Sequence, residues 1–348
     1  MNKFHAEDVV YGEDKYMQDM KEHHVVYIDI LKAIACICVL VGHVVGGIMK
    51  ANIDISEILI HIHTYVYLFH VPCFFFASGY LYGNKQIKGW REYASFVMKK
   101  LIVLGVPYLV CTILYVIMSS LLSNEMNPNT SYSFDTLLNI WRVPIAYFWY
   151  LYVLMILFVV IPAVEIIFKP ANKTCLWVIF ALLTLWKSDI LWINYITQYS
   201  YLFYLGVIWN ISNSNRWRSY LQQHTHSIWG GIYCVESVML YLIYTIFQKE
   251  NLLSGELRII FESIITLLLV ITMVRISFVI AETGKYIKSF LLWVSKYSLY
   301  IYLFHIWFSG TIRIILRRMG IVNGWVQTFI GVAVGLIGPI LLSKFIKK

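Results

Sequence analysis

The chain has 348 residues, of which 59% are hydrophobic and only 14% charged, with a formal net charge of +9. A soluble domain of this length would be near a quarter charged, so a soluble enzyme is excluded, and repeated apolar runs of about 20 residues mark helices rather than a membrane β-barrel. The excess of cations is not a nucleic-acid signal, because Lys and Arg fall mostly in short connections between apolar runs, where they set topology.

Residues 1–24 are polar and of mixed sign, with no basic flank and apolar core at the start, so they do not read as a secretory signal. They predict a cytoplasmic tail, disordered or lying on the surface. Residues 25–348 then form one membrane domain. Ten spans are predicted, at 26–49, 58–82, 95–120, 144–168, 174–191, 194–212, 227–248, 257–280, 289–310 and 324–345. The expected fold class is therefore all-α, a polytopic membrane helix bundle of about ten transmembrane helices. With both termini cytoplasmic, Lys and Arg are more than twice as frequent inside as outside, so that orientation is expected. The cluster Arg313, Arg317 and Arg318 runs against it. Residues 121–142 form the largest expected external loop, with Asn127-Pro128-Asn129 as a turn.

The first span, Tyr27 to Val45, carries two ionisable side chains, Lys32 and His43. Ionisable groups are costly in hydrocarbon and usually face a protein interior or a wet cavity. At about 100° per residue, Lys32 and His43 lie on one face, separated by about 16 Å along the axis. The second span holds His61, His63 and His70. His63, Tyr67 and His70 share a stripe, whereas His61 and His63 point apart and make a poor metal pair. No metal site is expected. Pro72 should loosen the backbone after His70, and Ser78-Gly79 permits close helix approach. The six cysteines all fall in apolar runs and read as packing residues. The ninth span adds His305 and Tyr302. Glu262 is expected to pair with Arg258 one turn earlier. Three spans with histidines fit a proton-transfer enzyme, since neutral imidazole is the usual base near pH 7. They fit a proton-coupled transporter equally well.

Asp29 to His43, with a cation, ten intervening positions and a histidine, resembles the first helix of the membrane acyltransferase family 3. Phe69-His70-Val71-Pro72-Cys73-Phe74-Phe75-Phe76-Ala77-Ser78-Gly79-Tyr80 resembles its second-helix signature. Val106-Pro107-Tyr108, Phe148-Trp149-Tyr150-Leu151-Tyr152 and the stretch Ser295 to His305 resemble later segments in the same order. Lys32 departs from the arginine usual at the first position, and a lysine offers a point charge where arginine would grip bidentately. The resemblance implies a standalone O-acyltransferase, without an external hydrolase-like domain, in the plasma membrane. It implies transfer of an acyl group, usually acetyl, from cytoplasmic acyl-coenzyme A (acetyl-CoA) to a hydroxyl of a surface, cell-wall or lipid-linked glycan. On that reading His43 is the general base and His70 assists. His305 and Tyr302 are candidates for stabilising the oxyanion or shaping the site. Lys32, Lys99 and Lys100 meet the donor's phosphates, and Asp29, His63, Tyr67 and Trp149 shape the substrate site. No tightly bound cofactor is implied.

Overall fold

In the computed structural model the described residues are 6–85, 87, 89–121, 132, 134–169, 172–211, 224 and 226–346, with side chains from 26 onward except at 121, 134 and 346. The expected turn at Asn127-Pro128-Asn129 lies outside them. Helices follow in the order α1 (Ala6–Lys50), α2 (Glu57–Tyr67), α3 (His70–Gly83), α4 (Trp90–Lys100), α5 (Val106–Leu121), α6 (Phe134–Leu137) and α7 (Trp149–Phe168). After these come α8 (Lys173–Leu183), α9 (Leu191–Ile211), α10 (Ser227–Lys249), α11 (Gly255–Thr283), α12 (Lys285–Lys296), α13 (Ser298–Arg318) and α14 (Gly324–Ile346). Among the described residues eight helical stretches are long and apolar enough to cross a membrane. The fold is an all-α polytopic bundle.

α1 is the central post. It packs against α2, α3, α11, α12, α13 and α14, and Ile28, Ile30, Leu31, Ala33 and Leu40 are fully enclosed. Its backbone is already helical from Ala6, so the polar segment expected as a disordered or surface-lying tail continues the helix. α9 packs on α3 with no room for a side chain at the crossing. A Cβ at Gly79 would strike the Phe203 carbonyl oxygen, and one at Gly206 would strike the Phe76 carbonyl oxygen. Backbone-to-backbone approach of this kind is the ordinary device for packing helices in lipid.

Three departures from the expected spans position the site. The second span breaks at Leu68 and Phe69, and Pro72 takes the first turn of α3. Proline has no amide hydrogen to give and clashes with the carbonyl four residues back, so an unbroken helix would be penalised there. The break sets His70 at the start of α3. The fifth span is a correction. α8 stops at Leu183, and its 11 residues cover about 16 Å, too short for a hydrocarbon layer of about 30 Å. The remainder, including Lys187 and Asp189, is a connection that lines a cavity, where irregular backbone is tolerated.

The ninth span is the third departure. A break at Tyr297 (φ −109°, ψ 7°) separates α12, which exposes Tyr286, Ile287, Phe290 and Trp293, from α13. The crossing helix is Ser298–Arg318. Arg313, Arg317 and Arg318 therefore sit in its last turns rather than in a loop. Proline acts again at Pro107, which follows a five-residue π-helical stretch, Leu101–Gly105, between α4 and α5.

Candidate active site

A cavity of about 710 Å³ opens inside the bundle. Its wall is formed by Val39 and His43 of α1, the Tyr67–Pro72 break, Tyr147, Trp149 and Tyr150 before and within α7, the α8–α9 connection, and Tyr302 of α13. Its far side is polar and aromatic, with Trp186, Ser188, Asp189, Asn194, Gln198, Tyr199, Glu262 and Ser263. The α8–α9 connection, the last turns of α10 and the first turns of α11 all lie at the end of the bundle to which α1 runs after His43. The cavity belongs to that half.

His43 is half-exposed to this space and makes no hydrogen bond among the described residues. Its ring is surrounded by others. Ring centroids lie 5.1 Å away for His305, 5.9 Å for Tyr147 and 6.2 Å for Tyr67. The two other expected histidines are held differently. His305 is fully buried, and its Nδ1 lies 2.8 Å from the carbonyl oxygens of both Ile301 and Tyr302. A carbonyl only accepts, so Nδ1 carries the proton and Nε2 the lone pair. That Nε2 is buried and has no partner. His70, also buried, is fixed the same way by the Val66 carbonyl at 2.6 Å across the helix break. Two histidines thus have tautomers set by backbone, and the third has both ring nitrogens uncommitted.

This geometry bears on the oxyanion and site-shaping roles expected of His305 and Tyr302. A neutral His305 with its proton on Nδ1 has nothing to donate from Nε2. The Tyr302 hydroxyl donates to the Tyr147 carbonyl oxygen and is likewise committed. Tyr302 lines the cavity, and His305 lies buried beside His43. Tyr67 rises from the cavity floor, stacked at 4.3 Å on His63 and edge-on at 4.8 Å to His70. Trp149 lines the same cavity, packed on Tyr195 and Tyr199. His61 points away, as its spacing demands, and bonds the Tyr241 hydroxyl at 2.6 Å. Glu262 pairs with Arg258 at 2.9 Å. Glu236 of α10 pairs with Arg275 at 3.3 Å.

The cationic residues are not gathered at this cavity. Lys32 bonds Asp29 at 2.6 Å, with both side chains part-exposed, and Ser295 of α12 donates to the same carboxylate at 3.4 Å. Lys100 sets its amine over the Phe158 ring at 4.3 Å, and Lys99 is exposed. None of the three lines the cavity.

Tyr147 was not foreseen. Its ring touches His43 and His305, its hydroxyl donates to the Leu303 carbonyl at 2.7 Å, and its carbonyl accepts from Tyr302. It stands in a three-residue turn, Ala146–Phe148, entered through a left-handed residue at Ala146 (φ 48°). The only sequence signal was its place just before Phe148-Trp149-Tyr150. Glu165 was also missed. It ties α7 to three other helices on the opposite half, accepting from Tyr82 at 2.6 Å, Tyr204 at 3.0 Å and Lys173 at 3.0 Å.

Comparison with known proteins gives a match to the family described as Acyltransferase domain over residues 25–344. No curated protein and no solved structure matches the chain.

Proposed function

The chain belongs to this acyltransferase family and is a membrane acyltransferase, and we propose that it is an O-acyltransferase in which His43 is the general base. The observation that carries the base assignment is the contrast among the three histidines. His70 and His305 are buried and locked by backbone carbonyls, whereas His43 faces the cavity with both nitrogens free. An acceptor hydroxyl attacks the carbonyl carbon of an acyl-coenzyme A thioester. A C–O bond forms, the C–S bond breaks, and His43 takes the hydroxyl proton and returns it to the departing thiolate. Acyl ester and free thiol result.

The acceptor we propose is a sugar hydroxyl of a surface, cell-wall or lipid-linked glycan. Support comes from the cavity wall, where aromatic faces alternate with Ser188, Asn194 and Gln198. A volume of about 710 Å³ lies within the usual range for small-molecule sites, about 300–1,000 Å³. The donor, with acetyl-CoA as the expected form, enters from the opposite half, where Lys32, Lys99 and Lys100 offer charge to its phosphates. The Lys32–Asp29 pair is no obstacle, because part-exposed ion pairs are worth about 0–1 kcal/mol and Lys32 can exchange one anion for another. The charge bias supports an orientation with both termini cytoplasmic in the plasma membrane.

The test is release of free thiol from acetyl-CoA by the purified protein in nanodiscs, dependent on an added glycan acceptor and lost in His43→Ala. Orientation is tested in a cysteine-free background. A cysteine at Asn251 is expected to react with an impermeant maleimide from outside, and one at Lys285 only after the membrane is opened. The reverse pattern would overturn the orientation and the side of donor entry with it.

A further inference from the structure

The arginines at the end of α13 are not used by this mechanism, and one of them occupies an unusual place. α1 and α13 run in parallel register. Cys36 Sγ approaches the Ser298 carbonyl at 3.8 Å, His43 lies beside His305, and Gly47 lies against Arg313. A long helical side chain leans back toward the helix N-terminus, so Arg313 reaches down to the level of Gly47. That is one turn of α1 beyond His43. Its guanidinium fills the space a side chain at Gly47 would need. A Cβ there would overlap Arg313 Nη1 and lie 3.2 Å from Cζ.

The guanidinium is half-buried, and among the described residues no carboxylate lies within ion-pair distance of it. Asp54 and Glu57, which follow α1, are exposed and form no ion pair with it. A guanidinium has five donors and no acceptor, and taking one out of water without a partner is unfavourable. Two further groups, a histidine that offers a ring nitrogen and a lysine that adds charge, stand at the rim. His63 Nε2 lies 3.0 Å from where a Cβ of Gly46 would be. Lys50 is seven residues past His43, hence on the same face of α1 and about 10 Å further along. Glycines at 46 and 47 therefore open a notch on α1 just past the base, and a histidine and an arginine fill it.

We propose that Arg313, with Lys50 and His63 at its rim, binds the oxygens of a phosphate or carboxylate one helical turn beyond His43. The anion belongs either to an acidic acceptor or to a lipid headgroup. Planar, forked recognition of such oxygens is what a guanidinium does best. The acceptor source rests on the reading of this half as the acceptor side; the anion site itself does not.

The experiment measures binding without any donor. Full-length protein is placed in phosphatidylcholine nanodiscs, and its Tm is followed with inorganic phosphate, glucuronate or neutral glucose. A parallel set uses discs containing phosphatidylglycerol. A ligand that binds only the folded state raises Tm. Stabilisation by phosphate and glucuronate but not glucose assigns the site to a soluble acidic group. Stabilisation only by phosphatidylglycerol assigns it to a headgroup. Either effect is expected to weaken about tenfold or more in apparent affinity in Arg313→Gln, a change of about 1.4 kcal/mol, and to persist in Arg317→Gln, which alters an exposed neighbour. Should Arg313→Gln not fold, Gly47→Ala displaces the guanidinium while keeping its charge and is expected to weaken binding likewise. Tm values indifferent to every anion and lipid, or equal responses in wild type and in the variant at hand, would overturn the proposal. Because no acyl transfer is measured, failure here leaves the base assignment standing, and loss of that assignment leaves this site standing.

Discussion

The two ends of α1 carry the same kind of group to different effect. Near the start of its membrane-crossing part, Val26–Lys50, Lys32 is met at once by Asp29, and Ser295 completes a small polar cluster at the break between α12 and α13. Near its end, His43 has no hydrogen-bond partner, and what surrounds it is a cavity and four rings, those of Tyr67, Tyr147, His305 and, lining the same space, His70. An ion pair at a part-exposed position is a resting state that another anion can replace at little cost. A neutral imidazole with both nitrogens free of hydrogen bonds can accept a proton, which is the role proposed for His43. The lesson is that face and spacing put both residues on one line, and the neighbours give them different surroundings.

The comparison can be broken at several points. The largest effect is expected at the far end. His43→Ala should lower turnover by about 10²–10⁴-fold, the usual loss for a general base, with the protein still inserted and folded. A smaller loss is expected for His70→Gln. Glutamine can bond the Val66 carbonyl through its amide nitrogen but leaves no imidazole lone pair facing the cavity, so kcat should fall while the acceptor KM stays nearly constant. An unchanged kcat would reduce His70 to a helix-break fastener. Smaller again is the expected response of the near end. Lys32→Ala should raise the apparent KM for acetyl-CoA by about tenfold or less, equivalent to about 1.4 kcal/mol, and Lys32→Arg should restore it. A donor KM that ignores both substitutions would make the Asp29 pair purely structural. Tyr147→Phe removes a single buried hydrogen bond to Leu303 and should cost about 1 kcal/mol of stability, read as a lower Tm.

Much of this was legible in the sequence because it depends on local period. The Lys32–His43 face, the divergence of His61 and His63, the break near Pro72, the close approach at Gly79 and the Arg258–Glu262 pair all follow from helix geometry and one residue's stereochemistry. What was not legible depends on neighbours far along the chain. The apolar run from Phe290 to Phe304 is interrupted only by Ser295-Lys296-Tyr297-Ser298, too short a polar stretch to mark by itself the stop at Tyr297 that separates α12 from α13. α8 looks long enough to span because Leu185, Trp186, Ile190 and Leu191 continue its apolar run, yet the chain turns aside there, and Trp186, Lys187, Ser188 and Asp189 line a cavity that the sequence does not show. Tyr147 stands in a turn with no period at all. The hydrogen bonds of His305 and Tyr302 were hidden for a related reason. Residue type names the donors, but only coordinates show that their protons already go to the carbonyls of Ile301, Tyr302 and Tyr147.

The central claim is that His43 takes a proton rather than only tying helices together, and loss of activity in an alanine variant would fit both. The discriminating measurement is kcat for purified His43→Gln in nanodiscs, with acetyl-CoA and a glycan acceptor, alongside donor binding by the same sample. Glutamine fills much of the same space and can hydrogen-bond, but it does not accept a proton at neutral pH. The account predicts donor binding close to wild type and turnover reduced as far as in His43→Ala. Turnover near wild type in His43→Gln would contradict it and move the search for the base to His70 and His305.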